Sequence, residues 1–384
     1  MKNRQLPAAT ISLATAALLV AAASVSALEI KSGSDKVDLQ LKGHINRALM
    51  YADDGDESKV FHVDNTNSES RIGLYGKVKA SDNIAVGGTF EVQWQANPSD
   101  KVSMEEETIS GEFKERIMEV WFAPKGLGKF SLGRGNMASN DSSEVDLSGT
   151  DLAGNVGVAD VGGGIKFHDP AAAAPALDEN GEPVDDRLAV SNVFDQMDGL
   201  SRRNRVRYDT PDFAGFSLGV SAGEQEMVDA TLLYSQDFGL AKLKAALAWS
   251  NPGDDKDYSQ INGSASLLFN CGFNLTAAGG TRDLDDMPAG GDDPTFMYGK
   301  AGYIFGQLVP VGSTAVSVDY GVYENVKKQD IGQKGTAAGV QLVQKLSDWN
   351  TELFTAYRAY QLEDDTTADY DDINLVLGGA RFKF

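Results

Sequence analysis

The chain has 384 residues and a formal net charge of −22, with 42% apolar and 23% charged residues. That apolar content excludes a disordered chain, and 56 acids against 34 bases argue against a nucleic-acid partner, which needs a basic face. A single cysteine, Cys271, excludes an intrachain disulfide or a multi-cysteine metal site, and the lack of any run of about 18 apolar residues past the N-terminus excludes a helical membrane protein.

The first 27 residues read as a cleaved export signal. Lys2 and Arg4 precede an apolar stretch, Ile11 to Ala23, and Val25-Ser26-Ala27 offers small residues for cleavage. Residues 28–384 then form the mature chain, whose charge is near −24 because the signal holds two bases and no acids.

Alternation with a period of two follows, the mark of strands with two unlike faces. Val37, Leu39, Leu41 and Ile45 alternate with Asp38, Gln40, Lys42, His44 and Asn46, while Val86, Phe90, Val92 and Trp94 alternate with Thr89, Glu91 and Gln93. Val316, Val318 and Tyr320 alternate with Ser317 and Asp319. Sixteen segments are predicted, at 37–51, 69–79, 84–95, 113–123, 128–134, 202–209, 215–224, 227–236, 240–250, 258–269, 273–283, 296–305, 313–324, 336–346, 350–361 and 373–383. Most have the length of a tilted strand that crosses a membrane.

The connections sort by length. Even-to-odd links are short, as in 80–83, 124–127, 237–239, 270–272 and 347–349, whereas most odd-to-even links are long and polar, as in 52–68, 96–112, 284–295, 325–335 and 362–372. Near Gln225 a long link is due and almost none exists. Short turns at one rim and long acidic loops at the other imply an all-β, transmembrane antiparallel barrel of sixteen strands. In hydrocarbon every backbone amide needs a partner, so the sheet must close. Sixteen strands enclose more space than their own side chains fill, leaving a water-filled channel.

Four segments carry a resemblance to a known family: Ser70-Arg71-Ile72-Gly73-Leu74-Tyr75-Gly76, Phe130-Ser131-Leu132-Gly133-Arg134-Gly135-Asn136, Asn204-Arg205-Val206-Arg207-Tyr208-Asp209-Thr210-Pro211, and the terminus Gly379-Ala380-Arg381-Phe382-Lys383-Phe384. In this order they resemble a general Gram-negative diffusion porin over essentially the whole mature chain. The resemblance implies a homotrimer in the outer membrane, in contact with lipid and lipopolysaccharide, that passes small hydrophilic solutes and ions. It also implies a third loop folded into the lumen, here within residues 135–201.

Position within that loop selects Asp141, Glu144, Asp146, Asp151 and Asp160 as the acidic side of a constriction, and His168 to Asp186, rich in alanine and proline, as an insertion at the loop tip. Strand parity puts Arg71 with Lys77 on one inward face, and Arg203, Arg205 and Arg207 on another. An arginine facing lipid near the midplane would cost about 2–4 kcal/mol. Arg116 joins this basic wall although Glu119 and Trp121 spoil the alternation around it, and Arg47 falls in an apolar register that suggests a rim or a bulge. Charge on opposite sides of a wet waist orients polar solutes and retards large or greasy ones.

No serine–histidine–acid order, phosphate loop or nucleotide fingerprint supports an enzyme, and no cofactor is expected. His44, His62 and His168 lack ligand spacing. The acidic runs 53–57 and 283–293 are candidates for loop-bound Ca²⁺ or for divalent ions bridging lipopolysaccharide. Two other readings remain: a substrate- or anion-specific porin, favoured by the density of Arg202, Arg203, Arg205 and Arg207, and a structural or adhesive surface barrel plugged by its long loop.

Overall fold

The computed structural model describes residues 28–29, 36–171, 185–327, 329 and 331–384. The export signal, its cleavage site and most of the alanine- and proline-rich loop tip lie outside the described residues. Sixteen antiparallel strands close into a barrel in which each pairs with its neighbours in sequence and the last pairs with the first. They are β1 (Val37–Asp53), β2 (Ser58–Asp64 continued by Arg71–Ser81), β3 (Ile84–Gln95), β4 (Glu112–Pro124), β5 (Lys129–Asn136), β6 (Arg202–Asp209), β7 (Phe216–Gly223) and β8 (Val228–Asp237). The second half comprises β9 (Ala241–Asn251), β10 (Tyr258–Phe269), β11 (Phe273–Leu284), β12 (Thr295–Val309), β13 (Gly312–Glu324), β14 (Lys334–Leu346), β15 (Thr351–Glu363) and β16 (Ile373–Lys383).

The apolar parity of each strand faces outward. Ile45, Leu74, Phe90, Val120, Leu132, Val206, Leu247, Val318 and Val340 are all exposed, while Asn46, Gln93, Ser131, Asn262 and Gln341 are buried on the inner side. Barrel closure reaches the last residue: the Gly43 and Phe384 backbones exchange hydrogen bonds of 2.9 and 3.0 Å. No side chain fits at Gly43, where a Cβ would lie 2.5 Å from the Arg71 carbonyl and 2.7 Å from the Phe384 ring.

Three places depart from simple alternation, each with a local cause. Between Glu91 and Val92 the pairing with β4 skips a residue, so Val92 opposes Glu115 while Glu91 opposes Ile117. Arg116 is thus the extra residue of a β-bulge, and the parity of β4 reverses across it. This is why Phe113 lies outward on one side of the bulge and Met118, Val120 and Phe122 on the other. The second departure is in β2, which leaves the sheet at Asn65 and returns at Arg71. Ser58–Asp64, read in the sequence as loop, is therefore strand, paired with Arg47–Asp53. Arg47 sits on the outer face beside this interruption and donates from Nη1 to the Ala96 carbonyl at 2.9 Å. At the third, the missing loop after β7 is a tight turn with Gln225 and Glu226 both at left-handed φ.

Residues 137–167 and 188–201 pass inside the barrel. They pack on the inward faces of β1, the upper part of β2 and β12–β16, forming an apolar core within the lumen. Leu152, Val156, Val158, Ile165, Phe167, Phe194 and Met197 from the loop meet Met50, Phe61, Phe296, Tyr323, Tyr360 and Leu375 from the wall. Full burial of one such side chain is worth about 1.5–3 kcal/mol, enough to hold the segment on one side of a barrel that its own inward side chains do not fill.

Candidate functional site

Polar anchors fix the loop's course above this core. Lys300 reaches from β12 to Asp146 at 2.7 Å and also donates to the Gly154 carbonyl at 2.8 Å. Burial opposes ionisation of Asp146, and the Lys300 ammonium outweighs it, holding the carboxyl below its ordinary range. Thr150 meets Ser317 at 2.7 Å, and Tyr323 donates to the Val156 carbonyl at 3.2 Å. At the outer end, His168 Nδ1 lies 3.0 Å from Asp371.

With the loop seated on β12–β1, the open part of the lumen lies against β2–β6, β10 and β11. A polar cavity of about 680 Å³ occupies it. One side is loop: Asp141, Glu144, Asn155, Asp160, Asp195, Gln196 and Asp198. The other is wall: Arg71, Glu91, Arg116, Arg202, Arg203, Tyr258 and Arg282, with Thr66, Asn67 and Glu69 supplied by the excursion that interrupts β2.

The wall arginines are not equivalent. Arg116 is buried, bonded to Glu91 at 2.7 Å and Glu69 at 3.0 Å. Arg71 lies 3.7 Å from Glu69 and 3.9 Å from Glu91. Arg282 pairs with Asp195 at 2.7 Å and stacks over the Tyr258 ring, 4.9 Å from its centroid, and Arg203 stands 3.8 Å from Asp255.

On the loop side, carboxylate oxygens of Asp141, Glu144 and Asp198 lie within 4.8 Å of one another, the one such grouping among the described residues. Like charges this close resist joint ionisation. Burial, then the charges of Asp198, Asp141 and Asp160, push Glu144 well above the usual carboxylate range. Burial, then Asp100 and Glu69, do the same to Asp160. Asp198 is raised to about 7 by burial, with hydrogen bonds from the Ser143 and Asp141 amides opposing and the Asp141 charge adding. Asp54, in one of the acidic runs, accepts from the Asp56 and Glu57 amides and so caps its own turn.

Of the acids singled out by position, Asp141, Glu144 and Asp160 line the cavity. Asp146 is instead a buried anchor and Asp151 is exposed away from the cavity. Of the bases, Arg71, Arg116 and Arg203 line it, and Lys77 is exposed lower on β2. Arg205 and Arg207 face inward as parity requires, yet they act on the loop's root rather than on the cavity. Arg205 donates to the Gly133 and Asn136 carbonyls at 3.1 and 3.0 Å and pairs with Glu119, while Arg207 donates to the Met137 carbonyl at 2.8 Å and pairs with Asp209. Sequence reasoning missed Asp195, Asp198 and Arg282. Parity alone would have found Arg282, which shares the inward face of β11 with Asn274 and Thr276. The two aspartates lie on the loop's return limb, which nothing in the sequence orients.

A closed sixteen-stranded barrel with a polar lumen and a loop lying inside it defines a porin-type channel. The chain matches the model of the Gram-negative porin family over residues 9–365 and belongs to that family, whose members are outer-membrane barrels. An anion-selective porin from Comamonas acidovorans is 18% identical with a TM-score of 0.60, and the match covers 91% of this chain and 100% of that one. OmpF of Salmonella typhi, in complex with daunomycin, is 16% identical with a TM-score of 0.55, covering 93% and 100%. A trimer form of OmpT from Vibrio cholerae is 14% identical with a TM-score of 0.55, covering 91% and 100%. At these identities the likeness is one of fold. No curated protein sequence is similar enough to this chain to carry an inference.

Proposed function

We propose that the protein is a passive, non-enzymatic diffusion channel for small hydrophilic solutes and ions, selective by size and charge where residues 137–167 and 188–201 narrow the lumen. The observation that carries this reading is the 680 Å³ cavity with Asp141, Glu144, Asp160, Asp195 and Asp198 on its loop side and Arg71, Arg116, Arg202, Arg203 and Arg282 on its wall. Charges fixed on opposite sides of a water-filled waist set up a field across it. A dipolar solute aligns in that field, while an apolar one must shed water among polar groups it cannot satisfy. No energy source enters. Asp146, Arg205 and Arg207 hold the loop in place, and Lys77 and Asp151 have no part in the waist.

The working unit in this proposal is a homotrimer seated in lipid and lipopolysaccharide, in keeping with the trimer form of the Vibrio cholerae relative. The acidic outer loops suit divalent ions that bridge lipopolysaccharide. The test is single-channel conductance and reversal potential in a planar bilayer under a KCl gradient. Stepwise conductance in multiples of three with a modest cation preference supports the reading. A strong anion preference would favour an anion-specific porin, and absent conductance a plugged surface barrel.

A further inference from the structure

On the short-turn side of the waist, the lumenal wall from β1 to β5 carries two aromatic rings and several lysines that the waist does not use. The bulge at Arg116 is what brings the larger ring there. Phe113 faces outward, and unbroken alternation would send Trp121 outward with it, whereas the reversed parity turns Trp121 into the lumen. There the indole lies across Gly87, its direct partner on β3, where a Cβ would come within 2.3 Å of the ring. Tyr75 lies in the same way over Gly73, where a Cβ would come within 2.8 Å of its hydroxyl, and donates to Glu91. Glycine at these two positions lets each ring lie over the sheet, and both rings remain partly exposed.

Lys77 stands on the other side of Gly87, so it shares one row of the sheet with Trp121 and no side chain separates them. Their backbones are two strand spacings apart, roughly 10 Å. Among the described residues neither Lys77 nor Lys42 has a carboxylate within 4.0 Å. Asp38, opposite Lys77 on β1, accepts instead from Gln40 at 3.3 Å. From the β5 side, Lys129 holds its ammonium 5.6 Å from the centroid of the Trp121 ring and 3.8 Å from Glu119. The nearby acids are already engaged, Glu119 by Arg205 and Glu91 by Arg116. Ser131, directly opposite Trp121 on β5, is 3% exposed, and its inward hydroxyl has no hydrogen-bond partner. Such an orphan is uncommon in a folded protein and marks a place for a polar ligand atom.

We propose that Trp121 and Lys77 form a binding site for small aromatic carboxylates, in which the indole stacks on the solute's ring while Lys77 and Lys129 take its carboxylate and Ser131 donates beside them. The inference rests on the diffusion-channel reading for the solute's access, and adds to it a site away from the waist and a solute class. A small anion without a ring leaves Trp121 unused, and a neutral aromatic leaves the lysines unused. An aromatic cation meets like charge. A sugar needs acceptors for its hydroxyls, and the carboxylates at hand are held by arginines. An aromatic carboxylate uses both features, through ring stacking and through charge-assisted hydrogen bonds, the stronger kind.

The test uses the full chain in planar bilayers at neutral pH, with benzoate, cyclohexanecarboxylate and benzyl alcohol added in turn. Benzoate is expected to add concentration-dependent blockade noise with an apparent affinity about 3–10-fold above that of cyclohexanecarboxylate. Trp121→Leu should bring benzoate down to the cyclohexanecarboxylate level, while Trp121→Phe keeps most of the difference. Lys77→Gln should bring benzoate towards benzyl alcohol, and Lys244→Gln, at an exposed lysine of β9, should leave it unchanged. Equal responses to benzoate and cyclohexanecarboxylate, or a benzoate response untouched by Trp121→Leu, would overturn the site. Should the protein carry no current, the diffusion reading fails, and fluorine NMR of 4-fluorobenzoate with detergent-solubilised protein decides the site separately. Line broadening that disappears in Trp121→Leu supports it, and broadening that is absent in the wild type or unchanged in Trp121→Leu overturns it.

Discussion

Arg358 grips Asp319 through both ends of its guanidinium, Nη1 to Oδ1 and Nη2 to Oδ2, each at 2.9 Å, with both side chains almost fully buried beneath the lumenal loop. Tyr298 donates to the same aspartate at 2.9 Å and Gln341 at 2.8 Å. Removing one partner leaves a buried charge without compensation. Arg358→Ala is therefore expected to destabilise the barrel by about 3–5 kcal/mol, while the paired change Arg358→Met with Asp319→Leu recovers most of that loss. Urea unfolding in detergent, followed by tryptophan fluorescence, measures both. Equal stability of Arg358→Ala and wild type would count against the pair.

Lys300 predicts a functional effect rather than a global one. It is fully buried and holds Asp146, Thr150 and the Gly154 carbonyl, so it fixes the loop where it crosses the lumen. Lys300→Ala should loosen that limb, raise single-channel conductance and expose the loop to added protease. The barrel's resistance to heat in detergent should change less than in Arg358→Ala. Unchanged conductance and protease resistance would remove Lys300 from this role.

The pH dependence follows from Asp198. Its folded value, about 7, stands above its ordinary 3.8, so the folded loop holds a proton that the unfolded chain gives up between those two values. The loop is therefore most stable at low pH and loses stability as pH rises from 3.8 towards 7. The ionised carboxylate that appears near pH 7 adds negative charge to the waist, and cation preference should increase across that range. Reversal potentials from pH 5 to 9 test this, and Asp198→Asn should flatten the rise.

Gly43 gives a prediction about closure. A side chain there collides with the Arg71 carbonyl and the Phe384 ring, so Gly43→Val should hinder pairing of β16 with β1. The expected result is a larger unfolded, slower-migrating fraction on unheated gels, with Gly43→Ala intermediate. Wild-type migration of Gly43→Val would show that the terminal residue yields without cost.

Nearly all of the wall could be read from the sequence, because a lipid-facing row and a water-facing row impose a period of two that is interrupted at only a few places. Where alternation broke around Arg116, Glu119 and Trp121, the break marked the bulge. Position in the lumen was harder to read. Parity says that Arg205 and Arg203 share a face, but not that Arg205 lies at the depth of the Gly133 and Asn136 carbonyls and is used up there. The same limit hid Tyr298, Tyr323 and Tyr360, inward-facing aromatics that make sense only once the loop covers them. A loop's landing place depends on strands far away in the chain, and one-dimensional pattern does not encode it.

That separation imposes an order of events during assembly. Val156 and Val158 meet Tyr323 and Tyr360, which lie 167 and 202 residues later in the chain. Contacts that distant form late and slowly. When the first eleven strands have been made, the apolar limb has only β1 and the upper part of β2 to lie on. The rest of its wall comes only as β12–β16 arrive and β16 joins β1. A chain truncated before its last strands would thus lack more than an edge: it would present an uncovered greasy segment to periplasmic chaperones and proteases. Seating of the loop therefore depends on the same late strands that close the barrel.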